Sequence, residues 1–318
     1  ILDDRLIHIF AKNNKVFEAS LVFLQAKKLE IHTWNGIISA HEASKCHESV
    51  FRLFSEMQCN GIKPNKLTYL CILKVCGIVG ALKIGEDIDA EVRKQGLLQK
   101  DIVLGTALVD TYAKCGALNK AQQLLDGLPV RNVICWNALI AGYVHRWQEE
   151  EALNCFEQMK LKRGLSPNSV TFVCALKACG NLGDCVLGQE IHVEIIKGKL
   201  LTNELVGNAL VNMYAGCGLL GKSREVFDEL SVHNVVSWNA LITAYSNNQC
   251  EEDAFHCFEQ MQLEGISPND VTFACILKAC GTLKTSEQGQ EIHGKVEKEG
   301  LLMKNVLVGT ALIDMYAK

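Results

Sequence analysis

Two clusters in this sequence could do chemistry directly. His192-Val193-Glu194 has the His-x-Glu spacing in which an imidazole holds zinc and a carboxylate moves the proton of a metal-bound water. That chemistry also needs a downstream Pro-Cys-x-x-Cys, and no Cys-x-x-Cys occurs in the 318 residues. The residues at the corresponding places of the repeats described below are Asp89 and His293, the latter followed by Gly294-Lys295, so the match is accidental. The second cluster is the set of pairs Cys71/Cys76, Cys174/Cys179 and Cys275/Cys280. At 3.6 residues per turn this spacing rotates two side chains about 140° apart around a helix, a poor chelating geometry. Their recurrence at equivalent points suits small buried hydrophobes. An odd total of 15 scattered cysteines also argues against a disulfide framework. Glu149-Glu150-Glu151 fits a solvated helix start, where acids favour the dipole. No metal, no cofactor and no catalytic residue is expected.

The elements that carry these residues recur. Trp34-Asn35-Gly36-Ile37-Ile38, Trp136-Asn137-Ala138-Leu139-Ile140 and Trp238-Asn239-Ala240-Leu241-Ile242 follow one another at steps of 102 residues. Gly105-Thr106-Ala107-Leu108, Gly207-Asn208-Ala209-Leu210 and Gly309-Thr310-Ala311-Leu312 keep that step. Leu73-Lys74-Val75-Cys76-Gly77, Leu176-Lys177-Ala178-Cys179-Gly180 and Leu277-Lys278-Ala279-Cys280-Gly281 form a third family. Each period therefore holds three repeats of different length. Standard repeats span 31–65, 133–168 and 235–269, long repeats 66–101, 169–203 and 270–305, and short repeats 102–132 and 204–234. Residues 1–30 match a short repeat lacking its first residue, and 306–318 match the first helix of another. The whole of 1–318 is then one array, with nothing left over for a separate catalytic domain.

Within 133–168, Trp136, Leu139, Ile140 and Tyr143 fall at i, i+3, i+4, i+7, one stripe of a helix. After a polar break at 146–150, Ala152, Leu153, Phe156 and Met159 make a second stripe, which Gly164 and then Pro167 stop. Gly61/Pro64 and Gly265/Pro268 repeat the signal. One such hairpin cannot bury its own apolar faces, whereas stacked neighbours share a continuous core. The expected fold is all-α, a right-handed superhelical α-solenoid of tandem two-helix repeats.

Composition bounds the function. At 48% hydrophobic residues and only four prolines the chain can bury a core. It has no apolar run long enough to suggest a membrane span. A net charge of −4 offers no bulk attraction for phosphates, although a local basic stripe would suffice. The start, Ile1-Leu2-Asp3-Asp4, lacks an initiator Met, a basic region and an apolar signal core. It reads as the middle of a longer chain whose targeting peptide lies outside it.

Two-helix repeats of about this length also occur in tetratricopeptide proteins, which would make the chain a protein-binding scaffold with no affinity for oligonucleotides. Their eighth-position Gly is here Ile38, Ile140 and Ile242, and the repeat lengths alternate regularly. The runs Tyr112-Ala113-Lys114-Cys115-Gly116, Leu277-Lys278-Ala279-Cys280 with Gln290-Glu291-Ile292-His293, and Trp238-Asn239-Ala240-Leu241-Ile242 instead resemble pentatricopeptide-repeat proteins. The resemblance is to the plant subclass of alternating standard, long and short repeats, and it covers all 318 residues. It implies a non-enzymatic module that binds single-stranded organellar RNA, in mitochondrion or chloroplast, one repeat facing one nucleotide. Members of this type typically select sites for cytidine-to-uridine editing, with an editing deaminase beyond Lys318 or on a partner. No membrane and no small-molecule substrate is implied.

In such repeats the fifth residue and the last residue face the base. The resemblance therefore assigns Asn35 with Asn65, Asn137 with Asn168, Asn239 with Asn269, Thr106 with Asn132 and Asn208 with Asn234. The bland alternative is an Asn on a solvated helix face and a terminal Asn that only caps a helix. An amide both donates and accepts, so Asn–Asn suits cytosine first and uracil second, and by family analogy Thr–Asn suits adenine. The second residue should wedge between bases; Val103, Ile134, Leu205 and Val236 comply, and His32 departs while still able to stack. Long repeats carry Leu70, Val173 and Ala274 at the fifth place and act as spacers. Lys12, Lys114 and Lys318 share one short-repeat position, broken by Gly216, and Lys74, Lys177 and Lys278 share a long-repeat position. Contact with backbone phosphates and simple solubilisation are both open for them.

Overall fold

The computed structural model describes residues 2–13, 15–26, 29–162, 164–302 and 305–318, without the side chains of residues 2–4 and 8. Among them the regular structure is entirely helical. The helices run α1 (Leu2–Lys12), α2 (Val16–Gln25), α3 (Ile31–Ala43), α4 (His47–Cys59), α5 (Lys66–Val79) and α6 (Leu82–Lys94). Next come α7 (Ile102–Lys114), α8 (Leu118–Gly127), α9 (Val133–His145), α10 (Glu149–Lys160), α11 (Ser169–Leu182) and α12 (Cys185–Lys197). The last are α13 (Glu204–Gly216), α14 (Leu220–Asp228), α15 (Val235–Asn247), α16 (Glu251–Leu263), α17 (Asp270–Leu283), α18 (Ser286–Lys298) and α19 (Val306–Ala317).

They gather into two compact units, residues 1–148 with 157–166, and residues 149–156 with 167–318. In the first unit α1, α3, α5, α7 and α9 pack each on the next, and each even-numbered helix from α2 to α8 bridges its own partner and the following odd one. In the second unit α11, α13, α15, α17 and α19 form the corresponding layer, with α12, α14, α16 and α18 behind them.

The stripes read from the sequence are the core. Trp136, Leu139 and Ile140 are sealed from solvent, as are Ala152, Phe156 and Met159. Trp34 and Trp238 are likewise buried. Cys76, Cys179 and Cys280 are buried while Cys71, Cys174 and Cys275 are half-buried, so the recurring cysteines are packing residues. Burial pushes the Cys76 and Cys179 thiols up to about 12, which leaves them inert at neutral pH.

Helix ends follow local chemistry. Asn65, Asp101, Asn132, Asn168, Asn203, Asn234, Asn269 and Asn305 each immediately precede an odd-numbered helix and accept from its first-turn N–H groups, the side-chain capping that satisfies orphan donors. At the other end Gly80 and Gly183 take the left-handed conformation, φ 74° and 72°, that closes α5 and α11. Lys284 does the same for α17 at φ 56°, where a residue with a Cβ pays about 1–2 kcal/mol.

Candidate nucleic-acid interface

The terminal asparagines are caps, and the cap determines what else they can do. The Thr68 backbone N–H donates to Asn65 Oδ1 at 3.1 Å. Because an N–H can only donate, the amide is oriented with Nδ2 away from the helix end. Asn35 Nδ2 then donates to the same Asn65 Oδ1 at 3.1 Å. Thr68 Oγ1 donates to Asn35 Oδ1 at 2.7 Å and accepts from the Asn65 backbone N–H at 3.1 Å. The fifth residue, the last residue and the third residue of the next repeat thus form one closed network. Asn239, Asn269 and Thr272 reproduce it, with Asn239 Nδ2 donating to Asn269 Oδ1 at 2.9 Å and Thr272 Oγ1 donating to Asn239 Oδ1 at 2.5 Å. In both networks the terminal Nδ2 has no acceptor among the described residues, so each half-buried pair presents a donor to whatever lies against it.

The other pairs differ. Asn132 Nδ2 donates to Thr106 Oγ1 at 3.3 Å, and that hydroxyl also donates to the Ile102 carbonyl at 2.7 Å and lies 3.1 Å from Cys135 Sγ. Asn208 is 7% exposed, and no hydrogen bond joins it to Asn234. Asn234 instead caps Val236 and Ser237 and donates through Nδ2 to Glu204 Oε2 at 3.3 Å. Asn137 is 8% exposed and Asn168 exposed, capping Thr171 at 3.1 Å; the two belong to different compact units.

The second residues all lie in the open. Val103, Ile134, Leu205 and Val236 are exposed apolar side chains, as large hydrophobes on a finished surface seldom are in series. His32 is exposed as well. The sequence analysis missed that the long repeats do the same with Leu67, Val170 and Val271, and that Leu307 continues the row. Applying the second-residue rule to every repeat, including those whose fifth residue is apolar, would have found them. In the second compact unit Val170, Leu205 and Val236 line a cleft of about 580 Å³ with Val173, Lys177 and Asn208.

The lysines are exposed at Lys12, Lys74, Lys114, Lys177, Lys278 and Lys318, and among the described residues three of them have ion-pair or hydrogen-bond partners. Lys74 Nζ lies 2.5 Å from Glu42, Lys114 Nζ lies 2.7 Å from Asp110, and Lys278 donates to Asn247 Oδ1 at 3.1 Å. Lys177 has no such partner among the described residues and lines the cleft. Gly216 interrupts the short-repeat lysines because α11 and α13 approach closely: a Cβ at 216 would stand 2.5 Å from the Gly180 carbonyl oxygen.

His192 Nδ1 lies 2.8 Å from the Tyr214 hydroxyl, and burial holds its imidazole below the usual range. Among the described residues no three His, Cys, Asp or Glu side chains gather as a metal would require, and no helix is long and apolar enough to cross a membrane.

Comparison with known proteins gives one consistent result. The PPR repeat family model matches residues 29–77, 131–181 and 233–282, and the PPR repeat model matches 208–235. The chain is 33% identical over 318 residues to the chloroplastic pentatricopeptide repeat-containing protein At4g18520 of Arabidopsis thaliana, covering 100% of this chain and 51% of that protein. It is 35% identical to the chloroplastic CRR2 of the same plant, covering 100% and 49%, and 32% identical to the mitochondrial At3g09040, covering 98% and 30%. The chain thus spans about half the length, or less, of these relatives. Among solved structures, PPR10 in complex with an 18-nt psaJ RNA element superposes with a TM-score of 0.77 at 17% identity, over 98% of this chain and 45% of that one. At that identity the likeness establishes the helical-repeat fold.

Proposed function

Since the chain belongs to the pentatricopeptide repeat family, we propose that it binds single-stranded RNA sequence-specifically, one nucleotide per repeat along 31–305. The observation that carries this reading is the pair of matching networks, Asn35–Asn65–Thr68 and Asn239–Asn269–Thr272, each beside the exposed apolar second residue of the next repeat, Leu67 and Val271. Apolar side chains between successive bases and a fixed amide at each base edge are what single-strand recognition needs. Because the cap consumes Oδ1, the amide at the base edge is a donor. It meets the ring-nitrogen acceptor of cytosine directly, whereas the ring N–H of uracil has no acceptor there.

With the first repeat at the 5′ end, Asn–Asn repeats taken as pyrimidine, Thr–Asn as adenine and long repeats as indifferent, the register is 5′-Y-n-A-Y-n-Y-Y-n-3′, cytosine preferred over uracil. The chain itself binds and positions RNA without catalysing a reaction. The reading extends to a specificity module of an organellar editing or processing factor, with any deaminase supplied elsewhere in the full protein or by a partner. The chloroplastic and mitochondrial relatives support that compartment.

Asn269→Asp is the decisive variant. Asp caps helices as well as Asn does, so the fold is kept while the donor becomes an acceptor. Cytosine-to-uracil preference at the seventh nucleotide should change by about tenfold, within the roughly 1–3 kcal/mol of a good base contact. Anisotropy titration of oligoribonucleotides differing at that nucleotide measures it; an unchanged ratio means that Asn269 does not read a base.

A further inference from the structure

The first residue of a repeat can lie against the last residue of the same repeat. Among the described residues this contact forms wherever the first residue is charged. Lys66 Nζ is 2.6 Å from Asp101, Asn305 Nδ2 donates to Asp270, and Asn234 Nδ2 donates to Glu204 Oε2 at 3.3 Å. The first two are in long repeats, whose fifth residues Leu70 and Ala274 offer a base nothing to bond. Repeat 204–234 is different, because its fifth residue is Asn208. Every other full repeat with a polar fifth residue starts on an apolar side chain: Ile31, Ile102, Val133 or Val235.

We infer that Glu204 is a specificity-determining residue that converts repeat 204–234 from a cytosine site into one that prefers uracil. The inference rests on the base-recognition reading above. The two lone pairs of Asn234 Oδ1 are taken by the Val236 and Ser237 N–H groups at 2.9 and 3.0 Å. Only Nδ2 is left for a base, and one of its protons is directed to Glu204. A base bonding there therefore lies beside a carboxylate. With O2 of either pyrimidine accepting from Nδ2, the ring nitrogen faces that charge: cytosine's is a bare acceptor and is repelled, and its exocyclic amine lies on the far side of that nitrogen from O2. Uracil turns its ring N–H, which the carboxylate accepts in a charge-assisted bond, the stronger kind. Among the described residues Asn208 makes no hydrogen bond to Asn234, so the Asn–Asn lock of 235–269 has no counterpart here. At 235–269 the equivalent first residue is Val235, which has no acceptor, and the Asn239–Asn269 bond is intact.

The test titrates the chain with two single-stranded oligoribonucleotides that differ only in C or U at the sixth nucleotide, at fixed salt. The parent should prefer U. Glu204→Gln keeps the shape, removes the charge and restores a donor, and should move the ratio toward C by about tenfold. Glu204→Val, which copies the start of the standard repeats, should move it the same way, and Glu204→Asp should keep the uracil preference. Glu204 is exposed on the first turn of α13, so these variants fold, as circular dichroism would register. An unchanged ratio in both neutral variants overturns the inference. So does an equal gain for both oligonucleotides, which would make Glu204 a mere repeller of phosphates. Asn269→Asp at the seventh nucleotide separates the two levels. If it shifts that ratio while Glu204→Gln leaves the sixth alone, base recognition stands and the role of Glu204 falls. If neither shifts, both fall together.

Discussion

Repeats 235–269 and 204–234 carry the same two residue types at the fifth and last places and build different surfaces from them. In the first, Asn239 and Asn269 hydrogen-bond to each other and Thr272 locks Asn239 from behind. In the second, Asn208 and Asn234 stay apart, and Ser237, the counterpart of Thr272, spends its hydroxyl on the Asn234 backbone carbonyl at 2.9 Å. Asn234 is held by Glu204 instead. A pair of letters therefore does not define a base-reading site; the first residue of the repeat and the third residue of the next decide which hydrogen-bonding atoms remain.

The sharpest way to break that comparison is to remove the lock. Thr272 is fully buried, and Thr272→Val is nearly isosteric but strips the donor to Asn239 and the acceptor of the Asn269 backbone N–H. Leaving buried polar groups unpaired costs about 1–3 kcal/mol, which denaturant unfolding of the chain should show. Discrimination at the seventh nucleotide should also fall by about tenfold, since Asn239 loses its fixed amide orientation. Ser237→Ala should cost about 1 kcal/mol through the lost cap bond and leave discrimination at the sixth nucleotide unchanged, because Ser237 bonds Asn234 and makes no hydrogen bond to Asn208. Equal effects on the two nucleotides would dissolve the distinction.

Much of this arrangement was legible in the sequence, and the illegible part has a common cause. The 102-residue period and the apolar stripes through Trp136 and Phe156 located the helices because burial at helical spacing is written in each segment alone. The exposed second residues Val103, Ile134, Leu205 and Val236 were visible in the same way, as apolar letters on a polar face. The roles of Thr68, Thr272 and Glu204 were not, because each acts across a hairpin on a residue about 30 positions away. Thr68, Thr171 and Thr272 do recur at one place in the long repeats, which is a signal. Its meaning needed the distance to Asn35 or Asn239. Glu204 is also a first-turn acid of α13, which favours the helix dipole.

A smaller effect probes the carboxylate itself. Asn234→Asp and Asn269→Asp make the same chemical change in the two settings. At 269 the first residue is Val235, so stability should be unchanged to within about 0.5 kcal/mol. At 234 the new carboxylate would sit against Glu204, and two like charges in partial solvent cost up to about 1 kcal/mol. Repulsion raises the folded-state pKa of one of the two groups above its unfolded value. That variant should therefore gain stability relative to the parent as pH falls through this raised pKa, and lose it again on return to neutrality. Thermal melts of both variants at pH 4.5 and 7.5 would decide it; the absence of any pH-dependent difference between them would mean that Glu204 is not close enough to Asn234 to matter.

The smallest expected effect separates the lysines that flank these pairs. Lys74 is neutralised by Glu42 at 2.5 Å and Lys278 is anchored on Asn247, so a phosphate would have to compete with a partner already in place. Lys177 has no partner among the described residues and lines the same cleft as Leu205 and Asn208, where a backbone running past exposed second residues would come within its reach. Each phosphate neutralised on a single strand steepens the dependence of log affinity on log salt by about 0.7. Lys177→Ala should flatten the measured slope by close to that amount, equally for every RNA sequence, because phosphate contacts position the strand without reading it. Lys74→Ala should flatten it less, since removing that lysine also frees the Glu42 carboxylate. Titrations from low to moderate potassium chloride with one good target and one mismatched oligonucleotide measure both slopes. If Lys177→Ala changed the preference between the two oligonucleotides and not the slope, Lys177 would belong with the asparagines as a base contact, and the division between positioning and reading residues would have to be redrawn at that repeat.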